Sequence, residues 1–340
     1  MAAQKTAVAS TGSATAAAKA GRGGGPRRST RPGRPGRSGP PPALTLAGRK
    51  RRDWLSGYLF LAPAVIFIAA LILFPLIKAA QYSMQQWDGI GIAKWVGFSN
   101  YTQIVTDPVE RGSLVNLGIL LIFYSLIPTA LALVTVNLMR RSQQRGMGFF
   151  RVVYFLPQTI VTVVVAIVWT WIMAPSGTGT INGLLHTLGL GPATGTAWLG
   201  NFNTALFAVG FIAAWLDFGL CFVLLLPGIQ RIPPELYEAA RVDGAGLIRE
   251  FFSITVPMLR RDLGAAITIT AVGALQSFTL IYQATNGGPG YATMVPGLLV
   301  YRDAFQLGAV GSASALGIAM AVIIFAITFG IRGLIERNAT

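Results

Sequence analysis

Residues 229–262, IQRIPPELYEAARVDGAGLIREFFSITVPMLRRD, decide how the rest of the chain is read. The stretch separates two long apolar runs and carries five arginines of its own. Pro233-Pro234 interrupts the chain and favours a helix start, because proline is preorganised for the first helical turn. Glu235 then falls where negative charge suits the helix dipole. ELYEAARV is rich in helix formers, and Asp243-Gly244-Ala245-Gly246 supplies glycine for a left-handed C-cap. Leu247–Ile254 forms a second helical stretch that Pro257 ends or kinks. The pattern predicts a helix, a sharp turn and another helix lying outside the membrane, as a docking element for a partner. Ala239 and Ala240 are small enough for close approach. Leu236 and Tyr237 offer apolar and aromatic contact, and Glu238 offers a charge that a partner's Arg or Lys can pair.

Working outward, spanning a bilayer takes about 20 apolar residues. Six segments reach that length: Gly57–Ala79, Leu114–Met139, Val152–Met173, Thr204–Leu226, Leu263–Ala284 and Ala309–Gly330. The chain is 53% hydrophobic and 11% charged, against about 25% charged in an ordinary soluble domain. An all-α membrane protein is therefore expected. Of the 27 Lys and Arg residues, 23 fall on one side if the spans alternate: the N-terminal tail, the second-to-third and fourth-to-fifth connections, and the C-terminus. Only Lys78, Lys94, Arg111 and Arg302 fall on the other. The positive-inside rule puts both termini in the cytoplasm. The seven tryptophans fall mostly near span ends, as an interfacial belt requires.

Twelve of the basic residues lie in residues 1–53, which include GRGGGPRRSTRPGRPGRSGPPP. This tail has no apolar periodicity and reads as disordered. Beside a membrane span, such charge serves orientation and attraction to anionic lipid. No aromatic residue precedes Trp54, so the tail lacks stacking platforms for nucleic acid, and no nucleic-acid partner is expected. Its first 43 residues hold no apolar core of a secretory signal. The expected organisation is a tail at 1–53, a membrane domain at 54–335 with its cytoplasmic loop at about 229–262, and a short C-terminal tail at 336–340.

The spacing within 229–262 resembles the EAA loop of ABC import permeases: E-A-A, three residues, G, nine residues, I, one residue, L-P. Glu238-Ala239-Ala240, Gly244, Ile254 and Val256-Pro257 stand at those spacings, with Val256 where the family usually has Leu. YLFLAPAVIFIAALILFPLIKAAQYSMQQWD (58–88) resembles the first span of sugar-type permeases, including those for maltose-like oligosaccharides and glycerol phosphate. FFRVVYFLPQTIVTVVVAIVWTWI (149–172) resembles their third span, and TNGGPG (285–290) the external turn after their fifth. The resemblance covers roughly residues 54–335. It implies a bacterial inner-membrane permease subunit of an ATP-driven, binding-protein-dependent importer that works by alternating access, with a sugar or oligosaccharide as cargo. It further implies a second permease subunit, two ATPase subunits and an extracytoplasmic solute-binding protein. Leu236, Glu238, Ala239, Ala240 and Gly244 would shape the ATPase dock, and Pro257 would fix the return into the fifth span.

The chain carries no G-x-x-x-x-G-K-[ST] phosphate loop, so ATP and Mg²⁺ are expected on the partner ATPase. It has one histidine, His186, and one cysteine, Cys221. Neither a metal site nor a nucleophile–base pair is expected, and the chain reads as neither an enzyme nor a cofactor carrier. Intramembrane polar groups are costly and point to function. Asp217 is the acidic residue of the fourth span, with Leu216 beside it and Leu220 three residues on. Thr270, Gln276 and Ser277 lie in the fifth, where Thr270, Gly273, Ala274 and Ser277 share one helical face. In the oligosaccharide-type relatives the matching stretches hold sugar contacts, often Asn. Ala274 and Ser277 stand at two such places here. Two alternatives stay open: an ABC permease for a polyamine or phosphate ester, and a non-transporting membrane scaffold. Asp217 alone is too little acid for a polyamine path, and a scaffold leaves the EAA spacing unexplained.

Overall fold

The computed structural model describes residues 46–142, 147–175, 179–190 and 195–337. Most of the 1–53 tail lies outside them, and α1 (Leu46–Ile68) already begins upstream of residue 54. Through a π-helical turn, Ala69–Leu73, α1 continues into α2 (Phe74–Tyr82). The described residues from Pro63 onward form the packed body. A two-stranded antiparallel ribbon follows, β1 (Gln85–Gln86) and β2 (Lys94–Trp95). Next come α3 (Ser99–Thr106) and α4 (Pro108–Leu121). Asp107 caps α4, its Oδ1 accepting from the amides of Val109 at 2.8 Å and Glu110 at 3.0 Å. Pro108 fills the first turn, where its missing N–H costs nothing. A second π turn, Ile122–Leu126, joins α4 to α5 (Ile127–Ser142).

Among the described residues, four helical rods are long and apolar enough to cross a membrane: Gly57–Tyr82, Pro108–Arg140, Ala205–Gln230 and Val310–Gly333. They match the first, second, fourth and sixth segments read from sequence. The third is broken. α6 (Met147–Thr159) and α7 (Thr162–Ile172) meet at 93°, so a count of five spans requires taking the bent pair as one. Pro157 removes a helical donor near the break, and Thr159–Val163 is an unbroken β-branched run that disfavours helix. The fifth segment is also divided. α13 (Arg260–Leu275) stops and α14 (Thr279–Ala284) restarts after Gln276–Phe278, so neither piece alone has spanning length.

Between these lie α8 (Thr180–Thr187), α9 (Ala205–Gln230), α10 (Pro234–Val242), α11 (Leu247–Glu250) and α12 (Val256–Met258). α15 (Pro296–Phe305) and α16 (Val310–Arg337) complete the chain. α9 is the axis of the packing. Its N-terminal half, with Val209, Ile212, Ala213 and Leu216, shares one core with residues of α7, α14, α15 and α16. Its C-terminal half, with Cys221, Phe222, Leu225 and Ile229, shares a second with α5, Tyr237, Leu259 and Ala266. Glycine makes the closest approaches. A Cβ on Gly219 would run into the Tyr154 carbonyl oxygen of α6, and one on Gly210 would stand 2.6 Å from the Phe123 ring. This is the small-residue packing expected where lipid supplies no hydrophobic drive between helices.

Candidate functional site

Two glycines and three prolines shape segment 229–262. Pro233 is the N-cap of α10 and Pro234 its first residue. Gly244 follows the helix at φ +78°, and its amide donates to Arg241 O at 3.0 Å. Gly246 caps α11. The expected helix–turn–helix is therefore present as local structure. Its second arm differs from a plain helix: α11 runs into a π turn, Phe251–Thr255, before Pro257 in α12. Leu236, Glu238 and Ala239 are exposed, Ala240 is half-buried and Pro257 is exposed.

Tyr237 corrects one sequence expectation. It is 1% exposed and faces the chain's own core, so its ring offers nothing to a partner. Arg140, at the end of the second span, lays its guanidinium carbon 3.5 Å from the Tyr237 ring centroid. The Tyr237 hydroxyl stands 3.0 Å from Thr255 Oγ1, which donates to Asn137 Oδ1 at 3.2 Å. Glu250, also 1% exposed, accepts from Arg241 Nε at 3.0 Å and lies 4.0 Å from Arg140 Nη2. A polar cavity of about 260 Å³ opens beside them, lined by Arg140, Gln230, Tyr237, Glu238 and Arg241 among others. A second ion pair, Arg231 to Asp262 at 2.8 Å, ties the end of α9 to the start of α13. Asn137, Glu250 and Thr255 were not singled out in the sequence, and Arg140 entered only as a topology charge. The signal for Glu250 is an acid set directly before Phe251-Phe252 in a basic stretch.

The solute-path residues are not gathered into one lining. On α9, Leu216 is buried while Asp217 and Leu220 are half-buried. On α13, Thr270 is buried and its Oγ1 lies 3.0 Å from Ser125 Oγ and 2.9 Å from Ala266 O. Ala274 is fully buried, whereas Gly273 and Gln276 are exposed. The helix ends at Leu275, so Ser277 does not continue the face of Thr270 and Ala274 as a regular helix predicts. Ser277 is 8% exposed and its Oγ has no hydrogen-bond partner among the described residues. It is the one predicted path residue with an unspent buried hydroxyl.

The 285–290 turn is held by its own side chains. Thr285 Oγ1 and Thr293 Oγ1 are 2.7 Å apart, and Thr293 donates to Gly288 O at 2.8 Å. Asn116 of α4 ties it down through Met294 O at 2.9 Å. Nearby, a cavity of about 240 Å³ is lined by Gln103, Asp107, Glu110, Tyr291, Arg302 and Asp303 among others. Glu110 is 5% exposed. Burial raises the Asp303 carboxyl above its ordinary range, with Arg302 opposing and Asp107 adding to the rise. No group of three or more potential metal ligands occurs among the described residues.

Residues 129–339 match the family model described as binding-protein-dependent transport system inner membrane component. The probable ABC transporter permease protein YurN of Bacillus subtilis is 36% identical, over 80% of this chain and 92% of the relative. The diacetylchitobiose uptake system permease protein NgcF of Streptomyces coelicolor is 32% identical, over 84% of each chain. Among solved structures, a bacterial ABC transporter involved in the import of the acidic polysaccharide alginate superposes with a TM-score of 0.68. It is 26% identical, and the match covers 86% of this chain and 98% of that one.

Proposed function

Because the chain belongs to the family of binding-protein-dependent transport system inner membrane components, we propose that it is the permease subunit of an ATP-driven importer of a sugar or oligosaccharide. Relatives named for diacetylchitobiose uptake and alginate import support the cargo class. The protein sits in a bacterial inner membrane with six spans, the bent α6–α7 pair and the divided α13–α14 each counting as one. Both termini are cytoplasmic, as the Lys/Arg asymmetry requires. Residues 54–335 form the permease domain, and the basic tail meets anionic lipid. A second permease subunit completes the pore, an extracytoplasmic binding protein delivers the solute, and two ATPase subunits supply the chemistry that this chain lacks.

The observation that carries the reading is the two-faced construction of α10. Tyr237 holds one face inside, and Leu236, Glu238 and Ala239 present the other outward. An anchored short helix transmits a push, and a small-residue surface admits a partner closely. ATP-driven closure of the ATPase pair would move α10 and turn the pore from inward to outward opening.

Co-purification from gently solubilised membranes tests this. The chain is expressed with its genomic neighbours as wild type, Glu238→Lys and Gly244→Asp. An ATPase and a second permease should accompany the wild type, and the ATPase should be lost from both variants. Retention of the ATPase by both variants, or its absence from wild type, would overturn the docking reading and favour a scaffold. The accompanying binding protein is then titrated with mono- and oligosaccharides. Binding of a polyamine or phosphate ester instead would correct the cargo class.

A further inference from the structure

α10 follows α9 in the chain and packs Tyr237 into the core that Ile229 of α9 shares, but its polar contacts lie elsewhere. The link from α9 is three residues long, Arg231–Pro233, and Arg231 is committed to Asp262. The polar and cation–ring contacts of this segment run to the end of the second span. Asn137 and Arg140, three residues apart on α5, share a helical face. Arg140 covers the Tyr237 ring, and Asn137 closes the chain of hydroxyls from Tyr237 through Thr255. Glu250 stands between Arg241 of α10 and Arg140 of α5. A carboxylate at 1% exposure is tolerated only with countercharge, because an isolated buried charge is heavily penalised.

We propose that Arg140, Tyr237 and Glu250 form a clamp that makes α10 a rigid extension of the second span, so that a push on α10 reaches that span through side chains and not only through the three-residue link from the fourth. Glu250 is a positioning residue: it touches neither solute nor partner and acts by holding Arg140 and Arg241 at once. Tyr237 supplies the packing surface and Arg140 the lid. The π turn Phe251–Thr255 is part of the same device, since it brings both Thr255 and the end of Glu250's helix to α5. The lever role rests on the docking reading. The clamp itself does not, since every contact in it lies within this chain.

Two cysteines, at Leu138 of α5 and Val242 of α10, report the clamp directly. Both native side chains are exposed, and the single native thiol, Cys221, is buried and escapes labelling. Nitroxides are attached to the full chain in nanodiscs, and the distance between them is read by pulsed electron paramagnetic resonance. Wild type should give a narrow distribution. Glu250→Gln should broaden it about twofold, because breaking a buried ion pair leaves a charge uncompensated. Arg241→Met, which removes the shorter of the two ion pairs of Glu250, should broaden it as well. Arg249→Gln, next to the clamp but outside it, should leave it unchanged. An unchanged width in both Glu250→Gln and Arg241→Met overturns the proposal, as does a wild-type distribution as broad as theirs. The ATPase retained in each preparation is measured alongside. Its retention by Glu250→Gln with a broadened distance supports a positioning role, and its loss from that variant alone makes Glu250 part of the dock and overturns that role. Its absence from wild type overturns the docking reading and leaves the width test of the clamp intact.

Discussion

The guanidinium carbon of Arg140 stands 3.5 Å from the centroid of the Tyr237 ring, although 97 positions separate the two residues in sequence. A cation over an aromatic face gains from the ring quadrupole, and the ring is otherwise sealed in the second core with Ile229, Ile232 and Leu259. Tyr237→Phe keeps the ring and loses only the hydroxyl bond to Thr255, a change of about 1 kcal/mol. Tyr237→Ala removes a buried aromatic, and large aromatic truncations cost about 3–5 kcal/mol. Unfolding of the purified chain in micelles should separate the two variants clearly. Equal destabilisation by both would mean that the ring is not packed as described.

Gly244 and Gly219 are both required, for opposite reasons, and alanine distinguishes them. At Gly244, φ is +78° and a Cβ would meet nothing within 4 Å. Gly244→Ala therefore costs the left-handed backbone penalty alone, about 1–2 kcal/mol. At Gly219 the obstacle is backbone, the Tyr154 carbonyl and Phe155 Cα, which cannot rotate away. Gly219→Ala must push α9 from α6, and overpacking of this kind costs about 1–3 kcal/mol or more. Lower yield and thermal midpoint for Gly219→Ala than for Gly244→Ala is the expected order. Gly273→Ala, on an exposed face with open space around it, should be neutral.

The helix–turn–helix at 234–250 was legible because its signals are local. Pro234 starts a helix and Gly244 stops one whatever the surroundings. Four of the apolar rods were legible because transfer of twenty apolar residues outweighs other terms. The breaks at Ile160–Val161 and Gln276–Phe278 were not, since hydropathy reports how much a segment prefers lipid and says nothing of its dihedrals. The inward turn of Tyr237 was hidden for another reason. Leu236 is the more apolar neighbour and yet faces out, because the choice is made by Asn137 and Arg140, about a hundred residues upstream. The path residues were chosen on the assumption of one continuous fifth helix, and the stop at Leu275 divides the face that assumption joined.

Asp303 gives a dependence on pH whose sign is fixed by its surroundings. Burial holds its carboxyl above the ordinary value of 3.8, Arg302 opposes and Asp107 adds to the rise. The folded chain therefore keeps this proton to higher pH than the unfolded chain. The resulting stability is fully present below the unfolded value and is lost as pH rises through the raised folded one. Asp303→Asn removes the effect. The thermal midpoint of wild type minus that of the variant should fall as pH is raised past the ordinary value of 3.8, and level off once pH exceeds the raised folded value. A constant difference across that range would show that Asp303 titrates as it does in the unfolded chain.

Ser277 and Thr270 are both buried hydroxyls of the proposed solute path, and they should separate stability from transport. Thr270 Oγ1 is bound within the fold, 3.0 Å from Ser125 Oγ and 2.9 Å from Ala266 O. Thr270→Val removes the bond from Thr270 Oγ1 to Ser125 Oγ, which keeps its own bond to Ile267 O at 3.1 Å, and should cost about 1 kcal/mol of stability. Ser277 Oγ has no partner among the described residues, so Ser277→Ala removes a desolvated group that bonds nothing and should change stability by less than about 0.5 kcal/mol. A hydroxyl with no structural duty is the better candidate for a sugar hydroxyl. Ser277→Ala should therefore lower uptake of the radiolabelled sugar that the associated binding protein carries, at unchanged thermal midpoint. Thr270→Val should lower the midpoint and leave the half-saturating sugar concentration unchanged. If Ser277→Ala transports like wild type, the fifth-span contribution to the path moves to the exposed Gln276, and Gln276→Ala becomes the variant that must lose uptake.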